Sequence, residues 1–173
     1  MTAIQNRETQ TPVVQLEPPR FVDGKPLLIA GLRCRYAPAT LDTISAQWQR
    51  FAAYIGRIPG QVGRTSYGLN FLYTVAQGIE YVSGVEVSSC TGLPAELSCV
   101  NIPAQRYAVF VHGGHVSKAW ETCAAIEKEW ALSSGHEPAQ PPSGAPAFFE
   151  RYTEKFDPRT GIGGIEIWVP IKS

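Results

Sequence analysis

Gly163-Gly164-Ile165-Glu166-Ile167-Trp168-Val169-Pro170 decides the fold of this chain. An earlier stretch, Tyr81-Val82-Ser83-Gly84-Val85-Glu86-Val87, says nearly the same thing half a chain length before it. Each is a short β-branched run with a glycine ahead of it and a glutamate among apolar residues. Two further segments keep step. Leu28 to Tyr36 runs into a helix-like segment containing Ile44, Trp48 and Phe51, and Tyr107 to Gly113 runs into one containing Trp120, Ile126 and Trp130. An internal repeat dictates architecture before local detail does. Two copies of a small α+β unit packed about a pseudo-twofold axis leave a seam, and ligand pockets favour such seams.

Outward from these runs, Leu27 to Tyr36 reads as a strand ended by Pro38. Leu41, Ile44, Trp48, Phe51 and Ile55 recur at spacings of three and four, which makes 41–55 an amphipathic helix stopped by Gly56 and Pro59-Gly60. Ser66 to Phe71 and Ile79 to Val87 read as a hairpin, and 93–97 as a connector. The second half repeats the plan: a strand from Gln105 to His112, a helix from Val116 to Leu132, a Pro-rich loop, a strand around Phe148 to Tyr152, and a last strand from Ile162 to Ile171. The expected architecture is α+β: pseudo-twofold duplicated β-α-β-β units (25–90 and 105–172), an antiparallel sheet with helices on one face, and a central ligand cleft. The other sheet face is left free to bind. Residues 1–19 are polar, end in Glu17-Pro18-Pro19 and read as a flexible leader ahead of a domain spanning 20–173.

The chain's 173 residues suit one domain or two halves sharing a core. Fifteen Lys and Arg balance fifteen Asp and Glu, so no basic patch argues for direct nucleic-acid binding. No apolar run approaches the length of a membrane span, and the N-terminus has no apolar signal core; a cytoplasmic protein is expected. Cys34, Cys90, Cys99 and Cys123 show no CxxC spacing and read as reduced, buried thiols, a Cys90–Cys99 disulfide being open by loop length alone.

The pattern resembles the GyrI-like family, also described as the AraC-type effector-binding domain with a SOUL-like fold. The resemblance rests on Ile102-Pro103-Ala104-Gln105-Arg106-Tyr107-Ala108-Val109-Phe110-Val111-His112-Gly113-Gly114-His115, on the Trp120 helix ending in Trp130, on Phe149-Glu150-Arg151-Tyr152, and on Gly164 to Ile171. It implies a hollow between the repeats that takes drug-like, aromatic or cationic compounds, with no cofactor. It also implies three roles for relatives: effector domains of regulators, stand-alone drug-sequestering or gyrase-protecting proteins, and hydrolases of strained cyclopropane compounds. The polar first residues are too few for a DNA-binding helix pair, so a stand-alone binder is expected, with a regulator or topoisomerase as the conceivable protein partner.

The resemblance points to Glu150 as a ligand-facing glutamate. A carboxylate in an aromatic cavity attracts cations, and its burial raises its pKa. Glu166 and Glu86 are expected as a pseudo-symmetric pair beside Gly164 and Gly84, and Tyr67, Tyr107, Trp120, Phe149, Tyr152 and Trp168 as an aromatic wall. Trp48 and Trp130 read as core. His112 and His115 flank two glycines and read as a turn, so no metal site is expected. Gly161 to Gly164 lacks the features of a phosphate loop. No nucleophile elbow is present. If the protein is an enzyme, Glu166 or Glu150 acting on water with Tyr107 or Tyr67 as acid is the available chemistry.

Overall fold

The runs rich in β-branched and aromatic residues form eight strands in the computed structural model, which describes residues 14–72 and 78–173. They are β1 (Arg20–Gly24), β2 (Leu27–Tyr36), β3 (Gln61–Leu72), β4 (Ile79–Val87), β5 (Ser98–Ile102), β6 (Gln105–His112), β7 (Phe148–Tyr152) and β8 (Ile165–Ile171). All pair antiparallel in one sheet of order β1-β6-β8-β7-β3-β4-β2-β5.

This order cannot lie flat. β1 and β2 sit six places apart, roughly 29 Å at the usual strand spacing. The chain joins them through Lys25-Pro26 alone, a link reaching roughly 11 Å. Pro103-Ala104 makes the same demand of β5 and β6. The sheet therefore curls until its two ends meet, giving a half-barrel. Gly31 sits where the curl is tight: a Cβ there would lie 2.2 Å from the Ser83 carbonyl oxygen. The inside of the curl holds one apolar cluster drawn from both ends of the sheet: Ile29, Val100 and Ile102 meet Tyr107, Val109, Tyr67 and Phe149. The sheet face expected to stand free is thus filled by core.

β3 and β7 lie together at the middle. There Gly68 pairs with Glu150, and Asn70 with Phe148. The buried anchors of the two helices set the correspondence: Tyr36 bonds Gln47 on one side and His112 bonds Thr122 on the other. Ile79, paired with Tyr36, therefore matches Ile165, paired with His112, and Asn70, paired with Tyr81, matches Glu150, paired with Ile167. One strand outward, Phe71 pairs with Glu80, while its counterpart Arg151 pairs with Glu166. Glu80, not Glu86, is therefore the structural mate of Glu166. The connection from β7 to β8 is longer than that from β3 to β4, which shifts the register and makes the Glu86–Glu166 match coincidental.

The helices lie outside the curl. α1 (Ile44–Ala52) follows a 3-10 turn, Pro38–Thr43, and buries Gln47 and Phe51 over Ala30, Leu32 and Val85. Leu41 and Ile55, the expected ends of its stripe, remain exposed. α2 (Ala119–Ala125) follows another 3-10 turn, Val116–Lys118. It continues through a π-helical segment, Ile126–Trp130, into α3 (Ala131–Ser133). Ala119, Thr122, Ala125 and Ile126 are its buried residues, so Trp120 points outward and is 62% exposed. Two strands were not anticipated. β1 and β5 are short, and their side chains do not alternate cleanly in polarity. β8 begins at Ile165, because Gly163 and Gly164 both take positive φ in the turn before it. Residues 1–13 of the expected leader lie outside the described residues, while Leu16 packs under α2 with Phe110 and Ile126. No helix among the described residues is long and apolar enough to cross a membrane.

Cys90 and Cys99 are joined as a disulfide with Cα atoms 6.0 Å apart, and Cys34 and Cys123 are free. This corrects the expectation of four thiols: the loop after β4 folds back to bring Cys90 against the edge strand β5. Leu93 and Leu97 inside that loop pack beneath α1, so the crosslink holds a piece of core. Closing a loop this short contributes about 2–3 kcal/mol in the chain-entropy account. Urea unfolding of the Cys90→Ser/Cys99→Ser variant should show a loss of about that size, and a reductant should produce it in the parent protein but not in the variant. Equal stability of parent and variant would contradict the role assigned to the crosslink.

Candidate functional site

Neighbouring residues of a strand point to opposite faces of the sheet. On β7 this rule separates residues that the sequence placed in one pocket. Phe149 faces inside the curl, where it stacks on Trp168 with ring centroids 5.5 Å apart and meets Tyr107 and Tyr67 at 5.4 and 5.9 Å. Glu150 and Tyr152 face the helices. The nine expected ligand residues therefore divide. Glu86, Tyr67, Tyr107, Phe149, Glu166 and Trp168 belong to the inner face, Glu150 and Tyr152 to the outer one. Trp120 joins neither group, and on α2 it makes no ring contact among the described residues.

On the inner face Glu166 is already satisfied. Its Oε1 accepts from Arg20 at 2.7 Å, and its Oε2 accepts from the Trp168 indole at 2.9 Å and from Arg151 at 3.2 Å. Burial pushes its carboxyl up, but these donors and the two guanidiniums hold it below the ordinary value. The mate position repeats the device: Glu80 is paired with Arg33 at 2.6 Å and Arg35 at 3.2 Å. A carboxylate held by two arginines has little charge left for a cation. Tyr107 is buried, its hydroxyl accepting from Gln105. Glu86 is half-buried near Tyr67, whose hydroxyl it helps to push up after burial has done most of that. These six residues read as the packed interior of the half-barrel and its charged rim.

On the outer face, at the pseudo-twofold axis, Glu150 is treated differently. Its Oε2 accepts from the Tyr152 hydroxyl at 2.6 Å and from the Tyr81 hydroxyl at 2.9 Å. Its Oε1 has, among the described residues, only the Asn70 amide nitrogen, at 3.5 Å. Trp48 on α1 donates its indole N–H to the Tyr81 hydroxyl at 3.0 Å and sets its ring against Tyr152, centroids 5.2 Å apart. Cys123 approaches from α2, and burial with the Glu150 charge pushes its thiol up. All of Glu150's hydrogen-bond donors are neutral, and among the described residues no arginine or lysine pairs with it. Burial raises its pKa; the Tyr152, Tyr81 and Asn70 hydrogen bonds oppose that rise without cancelling it, and His112 on β6 opposes it from farther away. The result is a partly accessible carboxylate, walled by aromatic rings, with no fixed counter-charge.

The scaffold around it is exact in its demands. Gly68 lies opposite Glu150, and a Cβ there would meet the Tyr81 hydroxyl at 2.0 Å and Glu150 Oε2 at 2.6 Å. α1 is registered by buried Gln47, which donates to the Leu32 carbonyl at 2.8 Å and accepts from the Tyr36 hydroxyl at 2.6 Å. α2 is registered at the symmetric place by His112 against Thr122, at 2.8 Å. The other His112 ring nitrogen bonds the His115 carbonyl, and among the described residues no group of three or more His, Cys, Asp or Glu could hold a metal ion. Tyr81, Asn70, Gly68 and Trp48 were not singled out as site residues from sequence. The signal was strand parity: had Glu150 been given the helix side, alternation along β3 and β4 would have put Gly68, Asn70 and Tyr81 there with it. Two surface hollows, of about 420 and 520 Å³, lie between residues 14–17 and the α2 side of the molecule. Neither borders Glu150.

Comparisons with known proteins establish the family and the fold. The family model described as the GyrI-like small molecule binding domain matches residues 17–172. The transcriptional regulator BrlR of Pseudomonas aeruginosa is 29% identical over 154 residues, covering 88% of this chain and 54% of that protein. The chain thus spans about half the length of this relative. Among solved structures, SAV2435 bound to tetraphenylphosphonium aligns with a TM-score of 0.70 at 20% identity, over 91% of this chain and 95% of that one. A putative transcription regulation protein from Staphylococcus aureus aligns with a TM-score of 0.60 at 20% identity, over 90% and 98%. At such identities the structural likeness establishes the fold.

The raised Glu150 pKa makes stability depend on pH with a definite sign. Between the ordinary glutamate value of about 4.3 and the raised one, the folded chain keeps a proton that the unfolded chain has lost. Glu150 therefore costs stability as pH rises through that window. Glu166 has the opposite sign: its contribution is present above the ordinary value and is lost on acidification. Melting temperatures between pH 4 and 8 should fall less with rising pH in Glu150→Gln than in the parent, and Glu166→Gln should lose stability at the upper end. Parallel curves for parent and Glu150→Gln would show that Glu150 titrates normally.

Proposed function

This chain belongs to the GyrI-like small-molecule-binding domain family, and from that premise we propose that it binds aromatic, singly charged cations over Glu150, in the cleft between α1 and α2. The observation that carries the reading is the Glu150 carboxylate, held by the Tyr81 and Tyr152 hydroxyls and the Asn70 amide and lacking any cationic partner among the described residues. Leaving such a charge in a ring-walled site costs free energy that a ligand cation offsets. The rings of Trp48, Tyr81 and Tyr152 add cation–π attraction. The tetraphenylphosphonium bound by SAV2435 is a cation of this kind, which supports the reading. Glu166, also expected from the sequence as a ligand residue, is paired with Arg20 and Arg151 and is left out of the proposed site.

One observation favours a second reading. Glu150 and the Tyr152 hydroxyl, 2.6 Å apart, form a carboxylate–phenol pair able to move a proton, so hydrolysis of a strained electrophile in this cleft is the alternative. Incubating such compounds and weighing the products separates the two: a binder returns its ligand unchanged, whereas a hydrolase adds the mass of water and stops doing so in Glu150→Gln.

For the binding reading, titration calorimetry at pH 8 with tetraphenylphosphonium and a neutral tetraphenyl analogue of similar size gives the test. Glu150→Gln should weaken the phosphonium about 10–100-fold, the usual worth of a buried interaction with a charged group, and should change the neutral compound little. Equal losses for both, or an unchanged phosphonium affinity, would remove Glu150 from the site.

A further inference from the structure

The loop between β4 and β5 is tied to the rest of the molecule at few points. Among the described residues, the hydrogen bonds of 89–97 stay inside it, from the Thr91 N–H to Ser89 Oγ and from the Leu97 N–H to the Pro94 carbonyl. What holds it down is the Cys90–Cys99 disulfide and two leucines, Leu93 and the buried Leu97. Those leucines belong to the same apolar cluster as Trp48 and Phe51 of α1. Apart from Trp48 itself, α1 has one polar pin to the sheet. Gln47 bonds the Leu32 carbonyl, the Ser83 hydroxyl and the Tyr36 hydroxyl, and the rest of the seat is apolar. Trp48 reaches the cleft, donating to the Tyr81 hydroxyl at 3.0 Å and setting its ring against Tyr152. Disulfide, loop, α1 and the hydroxyls that hold Glu150 thus form one continuous packed series. Cys99 is exposed on the edge strand β5, so the bond is open to thiols in solvent, and exposed disulfides are the labile, regulatory kind.

We propose that Cys90–Cys99 is a redox control on the cleft: closed, it seats α1 with Trp48 against Tyr81 and Tyr152, and opened by a dithiol it loosens α1 and weakens ligand binding. The ligand half of this inference rests on the cation-binding reading above; the loosening of α1 does not. The opening step is thiol–disulfide exchange. A thiolate of the dithiol attacks the exposed Cys99 Sγ, the S–S bond breaks, and Cys90 leaves as a thiolate that takes up a proton. The second thiolate of the dithiol then attacks the mixed disulfide and releases Cys99. Two electrons and two protons pass to the protein, and the dithiol leaves as its own disulfide. Once the bond is open, Leu93 and Leu97 are held down against the full conformational freedom of the loop. α1 keeps its pin at Gln47 but loses part of its apolar seat. It pivots there, and the Trp48 indole, one residue on, moves off the Tyr81 hydroxyl. The bistable element that carries the coupling is the crosslink itself.

The test compares the protein in its oxidised form and after reduction with dithiothreitol. Proton NMR of the Trp48 indole N–H, assigned through Trp48→Phe, reads α1 without any ligand. Reduction should speed its exchange with water, as local loosening does; unaltered exchange would overturn the inference. Calorimetry with tetraphenylphosphonium reads the cleft. Reduction should weaken binding about tenfold, within the usual range of coupling between two sites. By reciprocity a saturating ligand should make the reduction potential of the disulfide more negative by about 30 mV, the same tenfold for a two-electron couple. Cys90→Ser/Cys99→Ser should bind like the reduced parent and ignore the reductant. A response that persists in that variant would place the effect at Cys34 or Cys123 and overturn the inference. Leu93→Ala, with the disulfide intact, should reproduce part of the loss; full parent affinity there would break the route through the loop. Equal affinity in the two redox states would overturn the inference and leave cation binding in place. A redox-dependent affinity that ignores Glu150→Gln would overturn the cation-binding reading and leave the redox control in place. No binding in either state would overturn both.

Discussion

Two short links, Lys25-Pro26 and Pro103-Ala104, constrain everything else in this molecule. Each must join strands from opposite ends of an eight-stranded sheet, so the sheet has to close on itself. Closure gives the protein an inside, and the large residues of the inner face fill it: Tyr67, Tyr107 and Phe149 pack there against Ile29 and Ile102. Once that face is spent on the core, the outer one is where the proposed ligand surface lies. There the two helices stand on either side of the β3–β7 seam, and the residues on the axis are reachable from both.

The axis concentrates the chemistry, and the two halves are not equal there. The symmetric positions hold Asn70 and Glu150, and the helices present Trp48 from one side and Cys123 from the other. A single carboxylate at the centre of an almost symmetric cradle gives the cleft one negative charge. The device that neutralises a glutamate was kept for the inner face, at Glu80 and Glu166, where two arginines serve each. The contrast between arginine-held Glu80 and Glu166 and tyrosine-held Glu150 is what the proposed binding role rests on.

Much of this was legible in the sequence. The β-branched runs around Val82 and Ile167 gave two of the strands, the apolar spacing of Trp48 and Phe51 gave a helix, and their recurrence gave the duplication. Glu150 draws attention in the sequence through its neighbours Phe149 and Tyr152, and its role remains a proposal. The failures have physical causes. Glu86 was matched to Glu166 because runs of similar composition align readily, whereas the true mate, Glu80, is set by hydrogen-bond register and by unequal loops. Phe149 and Tyr152, three residues apart on one strand, cannot share a wall, because alternation along a strand sends them to opposite faces. Trp120 was put in the pocket although its helix buries Ala119 and Thr122 instead. β1 and β5 were missed because their pairing partners, not their own patterns, make them strands. The Cys90–Cys99 bond depends on how a loop folds back, which spacing alone leaves open.

In the proposed binding mode the ligand carboxylate is Glu150 on the helix side, and Glu166 on the inner face is structural. Carbon-13 NMR of the glutamate side-chain carboxyls, assigned through Glu150→Gln and Glu166→Gln, tests it most directly. Glu150 should titrate above the ordinary glutamate range in the free protein, and a saturating aromatic quaternary cation should move its midpoint down, because the cation favours the ionised form. Glu166 should titrate below that range and should not respond to the ligand. A ligand-dependent shift at Glu166 with none at Glu150 would contradict the account.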